Sequence, residues 1–221
     1  MREPLRRWGA LAFLLAEGAL YLAFLSCDLF RPQISTVGMK YAAILLCFGM
    51  ALWGALRGGD PLVALALGLT VGADTFLLLL ARSYLAGVLL FYGVQLVYLM
   101  RLKRRLKGDA SPLLRWGLLG AVLLLLWRMG ALSPLNAVTA LYISRFFCNL
   151  LQSRKWMERS GRLFFWGLLL YFLCDLCVGL CNSAQPVPEE LYRLTGVGMW
   201  FFYLPGQVLI VLSGLAPFGE E

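Results

Sequence analysis

The chain has 221 residues, of which 61% are hydrophobic and 14% charged, against about 45–50% apolar and about 25% charged in soluble domains. A soluble fold of this length would lack the polar side chain needed to cover so much apolar surface, so the composition excludes a water-soluble monomer and makes lipid the solvent. The formal charge of +8 sits in short basic clusters between apolar runs, a pattern of membrane topology signals and not of a nucleic-acid surface.

A transmembrane helix needs about 20 apolar residues, and eight such windows follow one another: 8–27, 37–56, 61–81, 84–101, 113–131, 134–153, 162–182 and 194–215. The first, within MREPLRRWGALAFLLAEGALYLAFLSC, has the basic start and small-residue end of a cleaved signal, but Glu17 and its full spanning length make it a retained helix. The second opens on Lys40. The third carries a small-residue ridge, Ala64, Gly68 and Gly72, suited to close helix packing, with Thr70 and Asp74 projecting elsewhere. The fourth places Tyr92, Gln95 and Tyr98 at successive spacings of three. The fifth is nearly featureless, whereas the sixth has a polar stripe of Thr139, Tyr142, Arg145, Asn149 and Gln152, which cannot face lipid. The seventh holds Asp175 and the eighth Tyr203 and Gln207. The longest connections, RLKRRLKGDASP and NSAQPVPEELYR, leave no room for a soluble domain.

Lysine and arginine set orientation. With the N-terminus inside, fourteen fall on inner segments (Arg2, Arg6, Arg7, Arg57, five from Arg101 to Lys107, Arg115, Arg154, Lys155, Arg159 and Arg162) and five on outer ends (Arg31, Lys40, Arg82, Arg128 and Arg193). This bias supports an all-α bundle of eight spans with both termini cytoplasmic, forming one integral membrane domain in the cell membrane. The halves 1–107 and 108–221 also resemble each other. GLTVGADTFLLLL followed by VLLFYGVQLVYL parallels GLLLYFLCDLCVGL followed by MWFFYLPGQVLIVL. An even number of spans per half makes this a parallel repeat, which puts Asp74 and Asp175 at similar depth.

Ionisable groups within the hydrocarbon are costly and tend to face a bundle interior or a wet cavity. Here they are Glu17, Asp74, Arg145 and Asp175, and one arginine cannot neutralise three acids. The absence of histidine removes Ser-His hydrolysis and histidine zinc sites. Of the six cysteines, Cys174, Cys177 and Cys181 share a helix face, but without histidine or a second cysteine pair they read as small hydrophobes. Neither metal nor organic cofactor is expected. Two buried carboxyls in different surroundings can divide the work of general acid and base, and Gln95, Tyr98, Tyr203 and Gln207 either line a single cavity with them or serve as interhelical hydrogen bonds.

The chain as a whole resembles the YhhN family of eight-helix membrane proteins, whose animal members are lysoplasmalogenases. The likeness rests on Lys40 in VGMKYAAILL, on GLTVGADTFLLLL and YGVQLVYL, on Tyr142 and Asp175, and on FFYLPGQVLIVLS. Two positions depart from it: Tyr41 stands where the family usually shows proline, and Gln95 where it commonly has histidine. The resemblance implies hydrolysis of the alkenyl ether of a lysophospholipid, the lysoplasmalogen, to a fatty aldehyde and a glycerophospho-base. Asp74 and Asp175 would be acid and base in either order, Lys40 would hold the phosphate, and Arg145 would set carboxylate ionisation. Membrane lipids are the other expected partners and nucleic acid is not one; the sequence leaves the oligomeric state open. The alternative from another class is a small transporter or a non-catalytic lipid-binding protein, because paired acids within a repeated bundle suit transport as well.

Overall fold

The computed structural model describes residues 2–80, 83–106, 112–182 and 188–215. These form eight α-helices: α1 (Arg2–Phe30), α2 (Val37–Leu56), α3 (Pro61–Asp74), α4 (Tyr84–Arg105), α5 (Pro112–Arg128), α6 (Pro134–Ser153), α7 (Arg159–Cys181) and α8 (Glu189–Gly214). A π-helical segment, Thr75–Leu79, continues α3. No strand occurs among the described residues. The boundary at 107/108, the end of the third predicted span at 81, and Arg82 and Lys107 lie outside them.

The helix ends follow local chemistry. Asp60 and Pro61 start α3, the Asp60 carboxylate accepting from the Leu62 amide at 3.0 Å, and Ser133 and Pro134 start α6 in the same way, Ser133 Oγ accepting from Asn136 at 3.2 Å. α2 and α5 both stop on a glycine with positive φ, Gly58 at 89° and Gly130 at 65°. In each the next amide reaches back, Gly59 to the Gly54 carbonyl and Ala131 to the Leu126 carbonyl, both at 2.9 Å, which ties off carbonyls the helix end would otherwise leave unpaired.

Among the described residues six helices are long and apolar enough to cross a membrane: Trp8–Phe30, Val37–Leu56, Pro61–Leu79, Tyr84–Arg105, Arg159–Cys181 and Glu189–Gly214. The expected count was eight. α5 has 17 residues, none of them buried, and packs only on α6 among the described elements. α6 gives up hydropathy to its stripe, of which Tyr142, Arg145, Asn149 and Gln152 are all buried. The broadest interface joins α7 to α8, followed by α3 with α4. Between the halves, α4 packs on α6 as α8 packs on α2, whereas the contacts of α8 with α1 and α3 have no such counterpart.

The turn before α3, the ends of α4 and α8 and the loop before α7 meet at one end of the bundle, where most of the described arginines and lysines cluster. There Arg101, 1% exposed, sits between helices. Its Nε pairs with Asp60 at 2.7 Å, and its two terminal nitrogens donate to the hydroxyl and carbonyl of Ser213 at 2.8 and 2.7 Å. The Asp60 amide bonds the Gly214 carbonyl at 2.8 Å. This latch locks the start of α3 and the ends of α4 and α8 together. Replacing Arg101 by leucine orphans Asp60 and is expected to cost about 3–5 kcal/mol of stability, read as a lower unfolding midpoint in detergent. Adding Asp60→Asn, which keeps the helix cap and removes the orphaned charge, should recover part of the loss.

Candidate functional site

Asp74 is the last residue of α3 proper, and the wider π-helical turn begins directly after it. Its carboxylate is 4% exposed and accepts a hydrogen bond from Tyr203 Oη of α8 at 2.8 Å. Beside it Thr75 Oγ1 donates to the Val71 carbonyl at 2.7 Å and lies 2.8 Å from Tyr41 Oη of α2. Tyr41, the departure from the family's proline, is thus a polar contact next to the first acid.

Tyr203 is held by two features of α8. Pro205 lies inside the helix and lacks the amide that would bond the Phe201 carbonyl. Tyr21 Oη of α1 donates to that carbonyl instead, at 2.9 Å. At Gly206 a side chain would push the helices apart by a few tenths of an ångström, because an added Cβ would lie 3.0 Å from the Gly167 carbonyl and 3.1 Å from the Tyr171 amide. Backbone therefore touches backbone between α7 and α8, and this brings the Tyr171 and Tyr203 rings to 5.4 Å, edge to face.

Asp175 lies one helical turn beyond Tyr171 on α7. It is half-buried, and its carboxylate accepts a hydrogen bond from Tyr142 Oη of α6. The two acids do not bond each other. The Tyr171 ring nevertheless packs on Tyr203, the donor to Asp74, and on Phe146, which meets Tyr142, the donor to Asp175, at 5.8 Å, so the strip of α7 from Tyr171 to Cys174 lies between the pair. Phe91 of α4 and Phe146 of α6 complete the wall, 6.0 and 4.9 Å from the Tyr171 ring.

Lys40 caps this wall from the end away from the arginine latch. Its ammonium lies 5.3 Å from the Trp200 ring centre, and Trp200 meets Tyr203 edge to face at 5.2 Å. Lys40 is also paired with Asp28 at 2.8 Å, which Thr36 orients by donating to its other oxygen at 2.7 Å. An arriving phosphate would share Lys40 with Asp28.

The remaining expected site residues lie elsewhere than the sequence suggests. Arg145 is buried, but among the described residues it pairs with neither aspartate, and its Nε has no hydrogen-bond partner. Helical position explains this: it is one turn past Tyr142, on the side of the stripe that continues to Asn149. Gln95 and Gln207 are each one turn further toward the arginine end than the residues of the wall, Phe91 and Tyr203, or about 6 Å at 1.5 Å per residue; Tyr98 is nearly a turn further still. Asn149 Nδ2 donates to the Gln95 backbone and side-chain oxygens at 2.8 and 3.0 Å. Gln95 Nε2, Tyr98 Oη, Asn149 Oδ1 and both polar atoms of Gln207 are buried without a protein partner. The residues expected to line one cavity therefore fall on two levels, carboxyls and tyrosines above a column of amides and a phenol. Unmet polar groups cost about 1–3 kcal/mol each, so the column favours polar guests such as water. Sequence reading gave no role to Tyr171, Trp200, Asp28 or the Asp60 latch; only Asp60, ahead of a proline and an apolar run, carried a legible signal, that of a helix cap.

Fold and site together define an all-helical membrane protein with paired intramembrane carboxyls, each fastened to a tyrosine of another helix. The YhhN family model matches residues 35–214, most of the chain, and the protein belongs to that family. Searches of the curated proteins and of the solved structures return no match.

The tyrosine bonds carry a direct test. Tyr203→Phe and Tyr142→Phe each leave a carboxyl short of a donor and are expected to cost about 1–3 kcal/mol, measured by denaturant unfolding in detergent, while Tyr192→Phe, on the exposed start of α8, should be within about 0.5 kcal/mol of the parent.

Proposed function

We propose that the protein is a membrane hydrolase of alkenyl ethers that acts on lysoplasmalogens, with Asp74 and Asp175 as its acid and base. The observation that carries this reading is the pair of tyrosine-bound carboxyls on either side of the Tyr171 strip. Cleaving an alkenyl ether needs proton transfer to the β-carbon, stabilisation of the resulting oxocarbenium ion by an anion, and attack by water at the α-carbon. The hemiacetal so formed collapses to a fatty aldehyde and the glycerophospho-base alcohol. One protonated and one ionised carboxyl supply these needs. Tyr203 and Tyr142 would fix the carboxyl orientations, the polar column would admit water, and Lys40 would attract the phosphate. Because Gln95 stands at the family's histidine position, proton transfer falls to the carboxyls alone.

A second reading, as a transporter or lipid-binding protein, draws support from the helix irregularities flanking the first acid, the π-helical segment after Asp74 and Pro205 in α8. The test is incubation of the purified protein with a lysoplasmenylethanolamine and detection of aldehyde. Asp74→Asn and Asp175→Asn are each expected to lower kcat by on the order of 100-fold or more, and Lys40→Met to act mainly by raising KM. Substrate-dependent thermal stabilisation without aldehyde release would overturn the hydrolase reading in favour of the second.

A further inference from the structure

We propose that the cavity at the arginine-rich end of the bundle is an anion site that takes the phosphate oxygens of an acidic headgroup. The cavity measures about 330 Å³ and is bordered by Asp60, Arg101, Arg104, Arg105, Trp156 and Ser213, the volume of a small-molecule site. Its floor is the latch described above. Each nitrogen of the Arg101 guanidinium is bonded to Asp60 or Ser213 and its charge is paired with Asp60, so it chiefly shapes the pocket.

Arg104 and Arg105 are different. Both are exposed, and neither has a carboxylate partner among the described residues. Arg105 stands 5.5 Å from the Trp156 ring centre, and Arg101 faces the same ring at 5.0 Å. The indole is therefore fixed between two guanidinium groups and leaves Arg105 at the rim. Three arginines against one aspartate give the lining a net charge of +2. Basic residues near a membrane surface need serve only topology, but here two guanidinium groups with no carboxylate partner among the described residues border a concave floor held by the latch. Planar guanidinium forks match the geometry of phosphate oxygens.

The site is separate from the one proposed for ether hydrolysis and does not depend on that reading. Ser213 follows Tyr203 by ten residues on α8, about 15 Å along the axis at 1.5 Å per residue. In a glycerophospholipid only a handful of bonds separate phosphate from ether carbon, so one molecule cannot place its phosphate here and its alkenyl ether beside Asp74. The ligand is a second molecule, either an anionic lipid of the adjoining leaflet, drawn by its surface potential, or free phosphate.

The full-length protein in neutral detergent distinguishes these sources. Thermal unfolding is followed with dioctanoyl phosphatidylglycerol, with dioctanoyl phosphatidylcholine, and with inorganic phosphate against sodium chloride of equal ionic strength. The inference expects stabilisation by phosphatidylglycerol, by phosphate or by both, and less by phosphatidylcholine. Stabilisation by phosphatidylglycerol alone identifies the source as lipid; stabilisation by phosphate alone identifies it as the free ion. Arg104→Gln should weaken the apparent Kd about ten-fold or more, as loss of a charged hydrogen bond predicts, and Arg104→Gln/Arg105→Gln should abolish the effect. Because both side chains are exposed, the unliganded midpoint should change little, and the single variant remains readable if the double one does not fold. No stabilisation beyond the salt and phosphatidylcholine controls, or an undiminished effect in the single variant, would overturn the proposal.

Discussion

The arrangement depends on one constraint: a carboxyl group placed among hydrocarbon must be met by a donor from the protein. For Asp74 and Asp175 the donors are phenols, whereas Glu17 of α1 accepts from the Cys47 thiol of α2 at 3.2 Å. Tyr203 reaches Asp74 from α8 and Tyr142 reaches Asp175 from α6, so the first bond joins helices far apart in sequence and the second joins two consecutive ones. The features around them serve to aim those phenols. Backbone contact at Gly167 and Gly206 sets the distance between α7 and α8. Pro205 frees a carbonyl that Tyr21 then takes up, which ties α1 to the same stretch of α8.

From this level the bundle divides along its axis. Toward Lys40, aromatic rings lead to an ion pair with Asp28 and to a cation held over Trp200. In the other direction, Gln95, Tyr98, Asn149 and Gln207 form a polar column that ends at Arg101, whose bonds to Asp60 and Ser213 close the bundle. Buried polar side chains thus lie between the acids and the basic end, while the outward faces of α1 and α5 remain apolar.

Helical periodicity made much of this legible. The stripe on α6 was visible from spacings of three and four, and all of its members from Tyr142 onward are buried. The windows predicted to open at 61 and 134 coincide with the starts of α3 and α6, where Asp60 and Ser133 precede a proline. Both aspartates stood out because charge is rare in apolar runs. Periodicity tells which residues share a face, however, and not which helix that face meets. Arg145 looked like the natural partner of a carboxylate, yet phenols fill that role and Arg145 lies a turn away; Lys40 looked free, yet Asp28 holds it. The π-helical turn after Asp74 left no mark, since an apolar run such as TFLLLL suits either kind of helix. The eight expected helices are all present, and among the described residues six of them have the length and apolarity of a span; a window of apolar composition fixes neither the length of α5 nor how much polarity α6 must bury.

The central claim is that Asp74 and Asp175 belong to one physical unit although neither bonds the other. A double-mutant cycle on folding stability tests it most directly, using unfolding free energies in detergent for the parent, Asp74→Asn, Asp175→Asn and the pair. Groups that share neighbours couple by about 0.5–3 kcal/mol, whereas independent positions add to within about 0.3–0.5 kcal/mol. Coupling above about 0.5 kcal/mol is the result predicted by the shared strip at Tyr171 and Cys174, by the same rule. Strict additivity would mean that the two acids occupy separate surroundings, and would contradict the account.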